Sequence, residues 1–134
     1  MLMAVMTQKK HKAMAMIDDL YEIVGKRTEN DITSFSVKLN PASRIYAAHF
    51  PGTPITPGAC IIQSALELTS KLAGKELEIE EIKNVKFLNI LSPIDNPIVE
   101  FAFKPLTVEG ETVKAKVEVK DKDKTFTTIS ILCR

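Results

Sequence analysis

Between Thr56 and Gly74 the chain spells a helix that is apolar around most of its circumference, and such a helix persists in water only if other elements wrap it. Thr56 reads as N-cap with Pro57 at the first helical position, and Gly74 follows Ala73 as the stop. At about 100° per residue, Gln63, Ser64, Glu67, Ser70 and Lys71 share an arc of roughly 120°. Ala59, Cys60, Ile61, Ile62, Ala65, Leu66, Leu68 and Leu72 occupy most of the rest.

The wrapping material lies on either side. Tyr21 to Arg27 and Asp31 to Leu39 read as strands joined by a turn around Glu29-Asn30, with Phe35, Val37 and Leu39 alternating against Ser36 and Lys38. Ile82 to Leu91, Pro97 to Pro105, Thr112 to Lys120 and Thr125 to Cys133 have strand character too. Val113, Ala115, Val117 and Val119 alternate without a break against Lys114, Lys116, Glu118 and Lys120, which makes one buried and one solvated face. Glu109-Gly110 and Asp121-Lys122-Asp123-Lys124 read as hairpin turns. Asn40 to Thr56, with Pro41, Pro51, Gly52 and Pro54, reads as a fixed loop that carries His49. One buried helix and about six antiparallel strands predict an α+β domain, a curved sheet wrapped around a central long helix.

At 134 residues there is room for one core and not for two. The expected division is a flexible leader over residues 1–16, frayed or briefly helical, and a single domain over 17–134. The leader holds five methionines, and its basic run follows its apolar residues, the wrong order for a signal peptide. Eighteen basic and seventeen acidic side chains nearly cancel, so no general field draws the chain to nucleic acid or to a membrane surface. Cys60 and Cys133 have no metal-type spacing and are too few for a disulfide scaffold, which suits a cytoplasmic location. The ligand clusters that would imply a metal or redox cofactor are missing, so none is expected.

The chemistry concentrates in His49-Phe50-Pro51-Gly52-Thr53-Pro54-Ile55-Thr56-Pro57-Gly58-Ala59. Prolines and glycines hold a histidine beside a helix start, where free N–H groups and the positive dipole end can receive a developing oxyanion. This stretch resembles the HFPGxPxxPG motif of the FabA/FabZ family of 3-hydroxyacyl-acyl-carrier-protein dehydratases, at the same place before a long apolar helix. The resemblance implies the hot-dog fold and the elimination of water from a 3-hydroxyacyl thioester, carried by acyl carrier protein or coenzyme A, to a trans-2-enoyl thioester. It further implies that His49 takes the C2 proton, that Phe50 and the amides of Gly58 and Ala59 bind substrate, and that the active unit is a homodimer or an oligomer of dimers.

One position departs from the pattern. Family members carry an acid five residues after the second motif glycine, on the helix of the other subunit, where it helps the 3-hydroxyl leave. This chain has Gln63 there, a group that hydrogen-bonds a hydroxyl but has no proton to give. General acid catalysis is worth about 10²–10⁴-fold, so dehydration is expected to be weakened. Glu67 stands one turn on, reversing the Glu-x-x-x-Gln order of the FabZ branch. It either supplies a proton or activates water, or else pairs with Lys71 at the next i,i+4 position.

Two alternatives follow: a hot-dog acyl thioesterase using Glu67, or a catalytically weak acyl-binding subunit that partners an active homologue. Cys60 lies near the helix N-terminus, which favours a nucleophile, but its apolar neighbours assign it to the core. His11 belongs to a solvated charge run. Phe87, Phe101 and Phe103 are expected in the core, with one of them a candidate wall for an acyl tunnel. Arg44, Lys83, Lys86 and the Lys114–Lys116 face are the cations available to an acidic carrier, or serve solubility alone.

Overall fold

The computed structural model describes residues 15–48 and 52–134 in full and His49 by its backbone alone. Seven strands form one antiparallel sheet: β1 (Tyr21–Glu29), β2 (Ile32–Leu39), β3 (Ile79–Phe87), β4 (Ile98–Phe103), β5 (Thr107–Glu109), β6 (Thr112–Asp121) and β7 (Lys124–Cys133). Their order is β1-β2-β4-β6-β7-β3, with the short β5 attached to β6. Two helices, α1 (Arg44–His49) and α2 (Gly58–Ala73), lie between β2 and β3 in sequence.

Alternation decides which face is inside. On β6, Val113, Ala115, Val117 and Val119 are buried, and on β7 Thr127, Ile129, Ile131 and Cys133 join them, with Phe126 buried out of phase where the register shifts. Phe35 and Phe103 meet edge to face with centroids 5.8 Å apart. Ile61, Ile62, Ala65, Leu66 and Leu68 of α2 belong to the same core cluster. The central helix buries its apolar majority against the sheet, and the architecture is the hot-dog fold. Gly74 ends α2 in the left-handed region at φ 77°, its N–H returned to Ser70 O.

Turn chemistry sets the register of the hairpins. Asn30 and Asp31 both have positive φ, 53° and 66°, the pair of left-handed residues that a two-residue hairpin turn requires. Gly110 supplies the same conformation between β5 and β6, and Lys122 adopts it between β6 and β7.

Several expectations need correction. The segment from Asn40 to Thr56 is not all loop. Asn40 Oδ1 accepts from Ala42 N–H and Ser43 Oγ accepts from Ile45 N–H, so Ser43 caps a short helix that runs to His49. The strand expected over Ile82–Leu91 is shifted to Ile79–Phe87, because the amides of Leu88 and Asn89 both turn to the carbonyl of Phe126 and leave the ladder. β5 was not expected, and at three residues it is too short for alternation to register. Phe101 and Phe103 are core, but Phe87 is 55% exposed. Ser64 is buried instead of lining a polar stripe, its hydroxyl donating to Cys60 O.

Of the leader expected over residues 1–16, residues 1–14 and with them His11 lie outside the described ones. Met16 is 4% exposed and belongs to the core. Among the described residues no helix is long and apolar enough to cross a membrane. Among them, too, no group of three or more His, Cys, Asp or Glu side chains is placed to hold a metal ion.

Candidate active site

His49 closes α1, and α2 opens a few residues later. Phe50 and Pro51 lie outside the described residues, but the two ends of the connection are joined directly. Tyr46, one turn before His49, has its phenol oxygen 2.9 Å from Thr56 Oγ1, and both side chains are buried. Thr56 N–H donates to Leu91 O at 2.8 Å, fixing the entry to α2 against the chain beyond β3. Thr56 is therefore not the N-cap. Pro57 takes that place with extended φ −64° and ψ 144°, and no side chain caps the helix. Pro57 O accepts from the amides of Cys60 and Ile61. Among the described residues nothing accepts from the amides of Gly58 and Ala59, which leaves two donors at the positive end of the helix.

Gly58 has a packing reason to be glycine. A Cβ built there would lie 2.6 Å from the Phe87 ring tip, inside van der Waals contact. The ring thus rests on the first residue of α2 at the end of the edge strand, beside the two free amides. Phe87 was a candidate wall for an acyl tunnel, and its placement over Gly58 keeps it at the helix start.

One turn along α2, Gln63 and Glu67 are joined: Gln63 Nε2 donates to Glu67 Oε2 at 3.3 Å. Glu67 does not pair with Lys71. Its other partners come from the segment before β1 and from the first residue of that strand. Met16 N–H donates to Oε2 at 2.7 Å, Ile17 N–H to Oε1 at 2.9 Å, and Tyr21 Oη–H to Oε1 at 2.9 Å. Burial first, and the Glu67 charge second, push the Tyr21 phenol above its ordinary value, so it remains a proton donor in this pair. Sequence reasoning missed these three donors because nothing in local spacing links residues 16–21 to position 67. Gln63 Oε1 is fully buried and, among the described residues, has no hydrogen-bond partner.

Cys60 is half-buried, and burial, followed by the Asp19 charge, raises its thiol pKa. That disfavours the thiolate a nucleophile requires. Two hollows of about 540 and about 490 Å³ lie elsewhere. The first is on the outer sheet face between Ile32, Ala102, Lys116 and Thr128, and the second is beside Asp18, Glu22 and Lys38.

Comparison with known proteins agrees with this architecture. The 3-hydroxyacyl-[acyl-carrier-protein] dehydratase FabZ of Lactiplantibacillus plantarum is 32% identical over 74 residues, half of this chain and 49% of that protein. FabZ of Caulobacter sp. is 32% identical over 75 residues, 55% of this chain and 41% of that protein. The chain spans about half the length of the curated relatives it matches. Among solved structures, the dehydratase heterocomplex ApeI:P from Xenorhabdus doucetiae superposes with TM-score 0.60 at 19% identity, over 88% of this chain and all of that one. A mutant thioesterase from Pseudomonas aeruginosa does so with TM-score 0.62 at 14% identity, over 97% and 90%. These two likenesses concern the fold. The ApeI-like profile, described as ApeI dehydratase, matches residues 25–129, most of the sheet together with the whole of α2, and the chain belongs to that family.

Proposed function

We propose that the protein binds 3-hydroxyacyl thioesters, on acyl carrier protein or coenzyme A, and eliminates water from them to give trans-2-enoyl thioesters. The observation that carries this reading is the start of α2, where the Gly58 and Ala59 amides have no acceptor among the described residues and the Tyr46–Thr56 bond ties them to the helix that ends in His49. The thioester carbonyl accepts from those amides, which stabilises the enolate as charge develops on its oxygen. His49 removes the C2 proton, the electron pair forms the C2–C3 double bond, and the C3–O bond breaks. Gln63 orients the hydroxyl but cannot protonate it. The proton that turns the leaving hydroxide into water is the one His49 has taken.

The same site belongs to a homodimer in this reading. Among the described residues β3 is an edge strand whose outer side has no partner, with Ile82 44% exposed on it and Leu88, Ile90 and Ile94 exposed beyond its end. Pairing two such edges hides both.

The decisive experiment is enoyl-thioester formation from a panel of 3-hydroxyacyl thioesters, by the native protein and by His49→Ala. Turnover that vanishes in a folded variant is the expected result, and equal rates overturn the assignment. A second reading, a catalytically weak subunit that lends its pocket to an active homologue, is favoured by Gln63 standing where a proton donor is needed. Turnover that appears only after mixing with such a homologue would select it. Thiol release by Glu67 has less support, because both its oxygens already accept two hydrogen bonds.

A further inference from the structure

Gln63 is a carboxamide, and its two ends do opposite things: Oε1 only accepts a hydrogen bond and Nε2 only donates. Which end faces a ligand decides what the site selects. Here the choice is forced. Glu67 offers nothing but acceptor atoms to Gln63, because its other contacts are two backbone N–H groups and a phenol O–H, all donors. Only Nε2 can turn towards it, at 3.3 Å, and Oε1 is left buried without a partner among the described residues. An unpartnered buried acceptor is costly and is relieved by a donor.

Resting on the function proposed above, we infer that Glu67 is a positioning residue that locks the Gln63 carboxamide with Oε1 towards the ligand, making Gln63 a detector of a hydroxyl at C3. A 3-hydroxyl donates to Oε1. A 3-oxo group has no proton to donate and sets one carbonyl oxygen against another, and a saturated chain leaves Oε1 unsatisfied. The site therefore separates a thioester awaiting dehydration from the more oxidised 3-oxo thioester and from the saturated one. The entry to β1 takes part at one remove, because Met16 and Ile17 before the strand and Tyr21 at its start donate to Glu67 and hold it in place.

The test is equilibrium binding of 3-hydroxyacyl, 3-oxoacyl and saturated acyl coenzyme A thioesters of matched length, in a His49→Ala background so that no ligand is consumed. The hydroxy form is expected to bind at least about tenfold more tightly than the oxo form, a ratio that corresponds to ~1.4 kcal/mol. Glu67→Gln introduces a side chain that can accept or donate, frees the Gln63 amide to turn over, and brings the ratio to near unity. Gln63→Leu removes Oε1 while leaving Glu67 its other three donors, and abolishes the preference equally, so the proposal stays testable if Glu67→Gln fails to fold. Tyr21→Phe loosens Glu67 without touching Gln63. It is expected to lower the melting temperature and keep the preference, since two backbone amides and Gln63 still hold Glu67, and a preference lost there as in Glu67→Gln would mean that general loosening sets the ratio and would overturn the inference.

A native ratio near unity, or a ratio unchanged in Gln63→Leu or in folded Glu67→Gln, overturns the inference while leaving thioester binding intact. Failure of all three thioesters to bind overturns the proposed function itself.

Discussion

Tyr46 and Thr56 share a buried hydrogen bond that fastens the helix bearing His49 to the opening of α2. Removing one partner strands the other. Tyr46→Phe is expected to lower stability by about 1–3 kcal/mol, whereas adding Thr56→Val should return much of it, since two apolar groups leave nothing unsatisfied. If the proposed mechanism holds, turnover should stay depressed in both, by up to ~10²-fold, because the bond ties the helix that ends in His49 to the Gly58 and Ala59 amides. Thermal melts beside enoyl-formation rates check this, and a double variant with native rate would remove the bond from the site.

Gly58→Ala drives a methyl group into the Phe87 ring tip. That ring is more than half exposed and can swing away, so the stability cost should stay below about 1 kcal/mol, while the disturbed helix start should cost tenfold or more in rate. Pairing Gly58→Ala with Phe87→Ala should recover rate. No recovery would mean that the methyl group itself blocks the carbonyl site.

Gln63→Glu sets a carboxyl group against Glu67, where the present amide sits 3.3 Å from Oε2. Repulsion holds the introduced carboxyl in its protonated form to higher pH than a free glutamic acid, which is what a general acid needs. Dehydration should rise by up to ~10²-fold. A group whose folded pKa is raised contributes most below its unfolded value, so this variant should lose stability as pH climbs through the neutral range. Rates and melts across pH test both halves, and a folded variant no faster than the native protein would count against a missing acid.

Burial pushes the thiols of Cys60 and Cys133 and the phenols of Tyr21 and Tyr46 up, Cys133 from 9.0 to about 11. Each folded value lies above the unfolded one. The stability they contribute is whole below the unfolded values and is lost as pH rises through the folded ones. The melting temperature should fall by several degrees between about pH 9 and about pH 11, and less steeply in Cys133→Val. A flat profile over that interval would contradict the burial described for these groups.

Ile82 lies on the free edge of β3. Ile82→Lys should convert a homodimer to monomer in sedimentation at micromolar concentration, with the monomer still folded because the side chain is not core. A native protein that sediments only as monomer would refute the shared-edge assembly.

The core was legible where one period governed a whole element. The alternation of Val113 to Val119 and the apolar circumference of α2 each specify burial by themselves, and the turns at Gly110 and Lys122 carry their own chemistry. What escaped was non-local or short. Thr56 has the residue type of an N-cap, yet its hydroxyl goes to a tyrosine ten positions back. Lys71 is the natural local partner of Glu67 by helix spacing, but backbone amides fifty positions away displace it. Ser43 did carry a signal, since Asn-Pro-Ala-Ser followed by Arg-Ile is an Asx turn leading into a cap, and the prolines around it masked the short helix.

The strand order also sets a timetable. α2 is synthesised after β1, β2 and α1, while the residues that cover it, from Val113 to Cys133, emerge much later. β3 must wait as well, since its partner in the sheet among the described residues is β7, which follows it by more than thirty residues. Collapse around the helix is thus gated by the β6–β7 hairpin, and contacts so distant in sequence place refolding on a scale of milliseconds to seconds. The turn at Lys122, strained at φ 34°, becomes a control point for how quickly the chain folds, and glycine there should shorten the time the apolar helix spends uncovered.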